Sequence, residues 1–324
     1  MAETDTLVSL KRRGIFGANF VDRCFRWGTL AFAVAVPLLI LLLAIVLTRD
    51  SLLSIAAFGW RFLTTSVWDQ VFDHYGIVFA ILGTIITSLL ALALAVPISI
   101  GAAIFLAELA PRWLREPFSF MIELLAAVPS IVYGLWGIFV LVPVLRPVET
   151  WLASHLGFLP FFKATGFISG YGLLAAGLIL AIMILPYITS VSREVIQAVP
   201  RSQREAAYAL GATRWEALCG PVLRYARSGI MGAVILGLGR ALGETMAVTM
   251  LIGNSTQIPT SLFSPGYSMP ALLANEFTEA TGPLHISALF QVALVLVVIT
   301  IIVNSIARVL IWSVSKGGRV EVRE

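Results

Sequence analysis

The chain has 324 residues, of which 59% are hydrophobic and only 12% are charged, and its mean hydropathy is +0.93. Soluble domains are about 45–50% apolar and about 25% charged, so this composition excludes a soluble globular protein and predicts several membrane spans. The net charge of +4 does not indicate nucleic-acid binding, because the basic residues flank apolar segments instead of forming one stripe.

Six apolar segments are long enough to cross a bilayer, at about 20 residues per crossing. Helices satisfy their own backbone hydrogen bonds in lipid, so an all-α polytopic bundle is predicted. The predicted spans are Thr29–Leu47, Ile77–Ile100, Phe118–Val142, Phe167–Val191, Ser228–Ile252 and Ile286–Trp312. The predicted divisions are a basic cytoplasmic segment (1–28), the first span with its outer loop (29–76), a core of five spans (77–312) with a cytoplasmic loop (192–227), and a cytoplasmic tail (313–324).

Lys and Arg are distributed unevenly between the two predicted sides. If the N-terminus is inside, the inner segments hold 17 of the 22 basic residues and the outer loops hold 4, and Arg240 lies within a span. Because cytoplasmic loops of membrane proteins are rich in Lys and Arg, both termini are predicted to be cytoplasmic.

Arg240 and Glu244 are charged residues inside the predicted fifth span. At i and i+4 they share one helix face, and a charge at mid-membrane costs about 2.5–3.5 kcal/mol on insertion scales. We interpret the pair as part of a substrate site in which Glu244 holds Arg240; a permanent ion pair between helices is the alternative. Gly239 and Gly243 form a Gly-x-x-x-Gly pair that would let a neighbouring helix approach closely.

Internal prolines are predicted to kink three spans, at Pro97, Pro129 and Pro186. Pro129 would free the carbonyl of Leu125. Further candidates for the substrate pathway are the hydroxyl-bearing residues Thr84, Ser130, Tyr133 and Thr245. For any one of them, ordinary helix packing is the alternative.

The outer loop 253–285 contains no Lys or Arg. Its segment Met269–Ala280 is predicted to be a short helix with Pro270 in the first turn. A loop of this length is typical of a functional element: it either folds back as a gate, receives a partner, or caps the bundle.

The cytoplasmic loop 192–227 carries strong helix signals. Ser202 with Glu205, and Thr213 with Glu216, both have capping-box spacing. Gly211 is a natural stop for the helix between them. A helix, a glycine turn and a second helix at the membrane surface indicate a docking surface for a cytosolic protein.

Glu205-Ala206-Ala207, followed four residues later by Gly211, resembles the EAA loop of ABC importer permeases. The resemblance implies that a separate ATPase docks on this loop. The residues assigned to coupling are Glu205, Ala206, Ala207, Gly211 and Trp215. The pattern departs from the family at its end, where Pro221 and Arg224 stand in place of the usual isoleucine and proline.

Three further stretches, 124–137, 237–248 and 273–277, resemble permeases of bacterial phosphate ABC importers, and the PstC-type subunit more than the PstA-type. This resemblance implies a MetI-like six-helix bundle in the bacterial inner membrane, among membrane lipids, that forms half of a phosphate pathway. It implies a second, PstA-type permease subunit, two ATPase copies and an external phosphate-binding protein, and it links Arg240 and Glu244 to anion passage. No cofactor is expected in this chain, since ATP would be bound by the partner subunit.

Other functions remain open at this point. The substrate could be another oxyanion, such as sulfate or molybdate, or the chain could be a self-contained ion-coupled carrier with Glu244 as its proton site. The chain has no phosphate-binding Gly-x-x-x-x-Gly-Lys loop, and no nucleophile with a base or metal cluster that would favour an enzyme. Glu123 is expected to pair with an inner-side arginine.

Overall fold

The computed structural model describes residues 3–163 and 166–316 of the chain. The side chains of residues 1–19 and most of the predicted tail, 313–324, lie outside the described residues. The chain divides into two units, residues 1–50 and 51–324. The outer-loop residues 51–76 therefore belong with the core, and the predicted division at residue 77 falls inside the second unit.

The first unit is a single helix, α1 (Glu3–Asp50), whose apolar part runs from Asp22 to Asp50. This part contains the whole of the predicted first span. Pro37 lies inside α1 without ending it.

The second unit begins with two short helices, α2 (Leu52–Phe58) and α3 (Arg61–Thr64). A ribbon of two-residue strands follows, β1 (Trp68–Asp69) and β2 (His74–Tyr75), paired antiparallel. It is a small exception to the predicted all-α fold, which the helices otherwise confirm.

The remaining regular elements of the second unit, among the described residues, are helices. The helices are α4 (Val78–Ile104), α5 (Arg112–Ala127), α6 (Ser130–Trp136), α7 (Val142–Leu156), α8 (Leu173–Gln197), α9 (Arg201–Ala209), α10 (Arg214–Ala217), α11 (Leu223–Gly243), α12 (Met246–Leu251), α13 (Met269–Glu276) and α14 (Pro283–Lys316). π-Helical turns at Phe105–Leu109, Gly137–Leu141 and Leu218–Val222 extend or join them, and Pro160–Phe162 forms a 3₁₀ turn.

Six helical segments of the described residues are long and apolar enough to cross a membrane, which confirms the predicted number. They are Asp22–Asp50, Val78–Leu109, Ser130–Leu156, Leu173–Gln197, Arg214–Gly243 and Pro283–Val309.

The third span was predicted too early in the chain. The predicted segment Phe118–Val142 is interrupted, because the backbone is extended at Val128 and Pro129 and the helix resumes at Ser130. Proline has no N–H to donate, and it also disfavours the helical conformation of the residue before it. Pro129 therefore breaks the helix instead of kinking it, and the span is Ser130–Leu156. Pro97 and Pro186 lie inside α4 and α8 without ending them.

Helix α8 is the centre of the second unit. Of its apolar window 61% is buried within the chain, compared with 28–33% for the other spans of this unit. Ala176, Ile184 and Ile188 of α8 share one core cluster with alanines of α4 and α11. The Ser99 hydroxyl of α4 donates to the Leu185 carbonyl of α8 at 3.1 Å. The side chains of α8 are consequently held rigidly against the neighbouring helices.

The segment 252–276, which falls mostly in the predicted outer loop and is called the fold-back segment below, folds back onto the second unit; its role as a gate stays a prediction. Its backbone pairs with the start of α8, where Leu174 N donates to the Leu262 carbonyl at 2.8 Å. Met269, Ala271 and Leu272 are fully buried. Helix α13 begins at the predicted Met269, with a hydrogen bond from Ala271 N to the Ser268 hydroxyl, and ends at Glu276, before the predicted Ala280.

Candidate substrate site and docking loop

The predicted fifth span is broken at Glu244. Helix α11 ends at Gly243, Glu244 is extended (φ −71°, ψ 126°), and Thr245 precedes the new helix α12. Residues four apart share a face only while the helix continues. The predicted i, i+4 relation between Arg240 and Glu244 is therefore absent.

Glu244 does not hold Arg240. None of the ion pairs among the described residues joins these two side chains. The Glu244 side chain turns instead toward α12, where Oε1 accepts a long hydrogen bond of 3.4 Å from Ala247 N. The residue is buried, with 9% of its surface exposed. The predicted ion pair is wrong because the break in the helix turns the carboxylate away.

Arg240 instead lies over an aromatic ring. Its guanidinium carbon is 4.4 Å from the centroid of the Tyr187 ring in α8. Its Nε is buried, and no described group accepts a hydrogen bond from it. A ring attracts a cation through its quadrupole without using the N–H donors. The site thus presents a guanidinium that is held in place while its donors remain available.

A second helix break lies beside Tyr187. The Tyr187 hydroxyl donates to the Ala126 carbonyl at 2.9 Å, and the Tyr133 hydroxyl donates to the Leu125 carbonyl at 2.8 Å. The last carbonyls of a helix have no partner within the helix, so these two tyrosines satisfy the end of α5. Leu125 is the carbonyl that Pro129 was predicted to free.

The helices after the two breaks pack closely on each other. A side chain at Gly134 of α6 would place Cβ 2.4 Å from Met250 Sδ and 3.3 Å from Ala247 Cα of α12. Glycine therefore allows α6 and α12 to touch. Transporters build their binding sites from discontinuous helices of this kind, which favours this region as the substrate site.

The remaining predicted pathway residues differ in their surroundings. Ser130 is the half-buried first residue of α6, and Thr245 is half-buried just before α12. Both lie at the breaks. Thr84 does not: it is 2% exposed, its hydroxyl donates to the Ala80 carbonyl, and it accepts from Met269 N at 2.9 Å. Thr84 therefore anchors the fold-back segment and lies away from the two helix breaks, and its place on the pathway stays a prediction.

The glycines of α11 also differ from the prediction. A Cβ at Gly239 or Gly243 would have no neighbour within 4 Å, whereas one at Gly237 would lie 2.7 Å from the Ile188 side chain. Gly237, like Gly229 of the same helix, is thus a position where α11 closely contacts α8. The predicted Gly-x-x-x-Gly pair faces open space here.

The motif residues 273–277 make side-chain contacts with the neighbouring segments. Asn275 Nδ2 donates to the Tyr267 hydroxyl at 2.7 Å, and burial raises the pKa of that hydroxyl, which keeps it neutral. The Glu276 carboxylate accepts from Gln70 Nε2 and lies 3.5 Å from His285 Nε2.

The loop 192–227 has the predicted helix–turn–helix form. The Gly211 N–H and Ala212 N–H donate to the carbonyls of Tyr208 and Ala207, which is a Schellman motif with Gly211 at φ +84°. Thr213 and Glu216 form the predicted capping box. The box predicted at Ser202 is absent, because the N-cap of α9 is Pro200, two residues before Ser202.

The predicted docking residues form an open surface. Glu205 and Ala206 are exposed, and Glu205 has no hydrogen-bond or ion-pair partner among the described residues. Large apolar side chains accompany them: Leu210 is 89% exposed and Trp215 is 63% exposed. Glu123 forms the expected ion pair with an arginine, at 3.3 Å from Arg193.

Two residues of this region were missed by sequence reasoning, Tyr187 and Arg204. Tyr187 has no distinguishing spacing in the sequence, and only the packing of α8 against α11 brings its ring under Arg240. Arg204 stands directly before the recognised motif, but nothing in its spacing reveals its partners.

Comparison with protein families assigns the class. Residues 95–316 match the family described as binding-protein-dependent transport system inner membrane component. The match covers more than half of the chain, so the chain belongs to this family of transport-system membrane components.

Curated relatives narrow the class to one kind of permease. The phosphate transport system permease protein PstC of Haemophilus influenzae is 49% identical, over 93% of this chain and 96% of its own length. PstC of Pasteurella multocida is 48% identical, over 92% of this chain and 94% of its own length. PstC 2 of Mycobacterium tuberculosis is 41% identical, over 92% of this chain and 93% of its own length. The chain is therefore a member of the PstC-type permeases, as the sequence motifs predicted.

Solved structures agree on the fold. A methionine ABC transporter in an inward-facing conformation matches with a TM-score of 0.54 and 14% identity, over 76% of this chain and 99% of that chain. A bacterial ABC transporter involved in the import of the acidic polysaccharide alginate matches with a TM-score of 0.55 and 17% identity, over 86% of this chain and 95% of that chain. These likenesses confirm the predicted ABC importer permease bundle.

Proposed function

We propose that this chain is the membrane-spanning permease subunit of an ATP-driven importer of inorganic phosphate, and that it forms half of the translocation pathway. The observation that carries the proposal is Arg240, a guanidinium held over Tyr187 at the meeting point of two broken helices. The printed function of the relatives supports phosphate as the substrate.

Arg240 is the phosphate-contacting residue in this proposal. A guanidinium matches the oxygens of phosphate with paired N–H donors, and the Nε of Arg240 has no acceptor among the residues that the structure describes. Ser130 and Thr245 lie at the ends of α6 and α12, where their hydroxyls can add donors. The buried carboxylate of Glu244 limits how strongly the site attracts an anion, and a permease needs a hold that releases its ion.

The partners follow from the incomplete pathway and the exposed loop. A second permease subunit of PstA type supplies the other half. Two ATPase copies provide ATP hydrolysis, one of them docking on α9 and α10 of this chain through Glu205, Ala207 and Trp215. An external phosphate-binding protein delivers the substrate. This chain needs no cofactor of its own, since ATP is bound by the ATPase.

The same proposal includes the orientation of the chain in the membrane. Both termini and the loop 192–227 lie in the cytoplasm, and the fold-back segment 252–276 faces the outside of the bacterial inner membrane. The distribution of Lys and Arg supports this arrangement.

Uptake of labelled phosphate into vesicles that contain the reconstituted complex tests the function. Uptake should require ATP on the side of the ATPase and should resist competition by sulfate and molybdate. Arg240→Gln should assemble normally and lower uptake about tenfold to a hundredfold, as the loss of charge-assisted hydrogen bonds predicts, whereas Arg61→Gln, at an exposed arginine of α3, should be neutral.

Each contrary result has a distinct meaning. Normal uptake by Arg240→Gln would remove that residue from the pathway. Equal competition by sulfate or molybdate would replace phosphate by a broader oxyanion class. Uptake driven by a proton gradient without ATP would favour the carrier hypothesis.

A further inference from the structure

Arg204 makes an unusual set of contacts for a residue on an exposed surface helix. Nη1 donates to the Val199 carbonyl at 2.6 Å, and Nη2 donates to the Ile196 carbonyl at 3.0 Å. Nε and Nη2 both donate to Glu108 Oε1, at 3.1 and 2.6 Å. The two charged side chains are 18% and 24% exposed. The neighbouring Arg201, by contrast, is exposed.

These four bonds join three separate elements. Arg204 belongs to α9, Glu108 lies on the π-helical turn that extends α4, and the Ile196 carbonyl belongs to the last turn of α8. The Val199 carbonyl lies two residues beyond the end of α8, in the link to α9. Cations stabilise helix C-termini by satisfying free carbonyls and interacting with the dipole. The planar fork of arginine is the side chain that can bind a carboxylate and carbonyls together.

Helix α9 is not held by a buried apolar side chain of its own. It contributes no buried residue. Cavities of about 220 and 360 Å³ flank the Arg204–Glu108 pair, and both residues line each of them. Because open space lies on two sides of it, the ion pair is a principal connection between α9 and the membrane spans.

The far end of the connection is the candidate substrate site. Tyr187 lies on α8 nine residues before Ile196, which is about 13.5 Å along a helix at 1.5 Å per residue. Its ring contacts Arg240. Because α8 is the most buried span of its unit, a displacement at its C-terminal end is transmitted along a rigid helix.

We propose that Arg204 and Glu108 form a clamp that makes α9, the end of α4 and the end of α8 move as one body. The clamp transmits movement of the docked ATPase to the Arg240 site, and Arg204 acts as a positioning residue that does not contact the substrate. This inference rests on the proposed function, because it requires an ATPase docked on α9. Loss of the clamp uncouples ATP hydrolysis from phosphate uptake and leaves docking intact.

The test uses the complete complex in vesicles and two variants. Glu108→Gln removes the charge at constant size, and Arg204→Lys keeps the charge but cannot span the carboxylate and both carbonyls. Arg201→Lys is the matched control on the same helix. Three quantities are measured: the ATPase retained on purification, ADP formation, and uptake of labelled phosphate. ADP formation is followed because hydrolysis itself releases phosphate.

Both variants should retain the ATPase and continue to form ADP, while the phosphate taken up per ADP formed falls about fivefold or more, the range of typical coupling between sites. The control should keep the wild-type ratio. An unchanged ratio in both variants would overturn the clamp, and so would loss of the ATPase or an equal fall of hydrolysis and uptake, because these indicate a purely structural bond. Failure of the wild-type complex to import phosphate with ATP would instead overturn the proposed function.

Discussion

At the scale of single residues, the aromatic partner of Arg240 has physical consequences for transport. A desolvated cation–π contact is worth about 2 kcal/mol, and the Tyr187 ring brings no negative charge that would compete with an anion. Breaking a buried ion pair costs about 3–5 kcal/mol. A guanidinium held by a ring can therefore engage an oxyanion without first leaving a carboxylate.

Substitution of Tyr187 tests this contact. Tyr187→Leu removes the ring and should raise the KM for phosphate uptake about two- to thirtyfold, which corresponds to a contact of about 0.5–2 kcal/mol. Tyr187→Phe keeps the ring, loses only the hydrogen bond to the Ala126 carbonyl, and should have the smaller effect on KM. Tyr225→Leu, at an exposed tyrosine of α11, is the control. An effect of Tyr187→Phe as large as that of Tyr187→Leu would show that the hydroxyl, not the ring, matters, because both variants lose the hydroxyl.

At the scale of elements, two kinds of local feature position the helices of the candidate site: breaks in the helices and close backbone contacts. Val128 and Pro129 end α5, and Glu244 ends α11. The helices that follow these breaks, α6 and α12, contact each other at Gly134 and Ala247. The fold-back segment is seated by another local feature: Gly83 of α4 lies so close to Tyr267 that a Cβ would be 1.9 Å from its carbonyl oxygen. The contact atom belongs to the backbone and cannot move aside as a flexible side chain would.

Gly83→Ala should consequently displace the segment 252–276 and destabilise the protein, although alanine favours helices over glycine by about 0.8–1.0 kcal/mol. Gly101→Ala in the same helix is the matched control, since a Cβ there has no neighbour within 4 Å, and it should be neutral or slightly stabilising. Thermal unfolding of the purified protein in detergent measures both. Equal stability of the two variants would contradict the close seating of this segment.

At the scale of the whole molecule, the proposed orientation can be read from its two cysteines. Cys24 and Cys219 are both exposed and free, and both fall in segments that are predicted to be cytoplasmic. Gln257 is exposed in the fold-back segment that is predicted to face outward.

A membrane-impermeant maleimide should therefore label Cys24 and Cys219 only when it reaches the inner face. A Gln257→Cys variant that lacks both native cysteines should be labelled from the outer face instead. Labelling of vesicles of known sidedness, before and after permeabilisation, measures this. Labelling of Cys219 from outside would reverse the topology.

The success of the sequence predictions varied with the range of the interaction. The number of spans, the Thr213–Glu216 capping box and the stop at Gly211 follow from apolar length and local hydrogen bonding, and the structure has all of them. The third span was misplaced because Pro129 was treated as a kink. The Arg240–Glu244 pair was wrong because a helix was assumed to continue through Glu244.

The sequence by itself determined the class of this protein: its apolar runs require membrane helices, its basic residues indicate an orientation, and its motifs predict the permease family. Only the tertiary structure decided which groups meet. Tyr187 and Arg240 are 53 positions apart, and Arg204 and Glu108 are 96 apart. Neither pair can be recognised from residue spacing in the sequence, since each depends on how α8 packs against helices distant in the chain. Arg240 remains the central residue of the candidate site as predicted from the sequence, but the group it contacts is a ring on another helix and not the carboxylate four residues away.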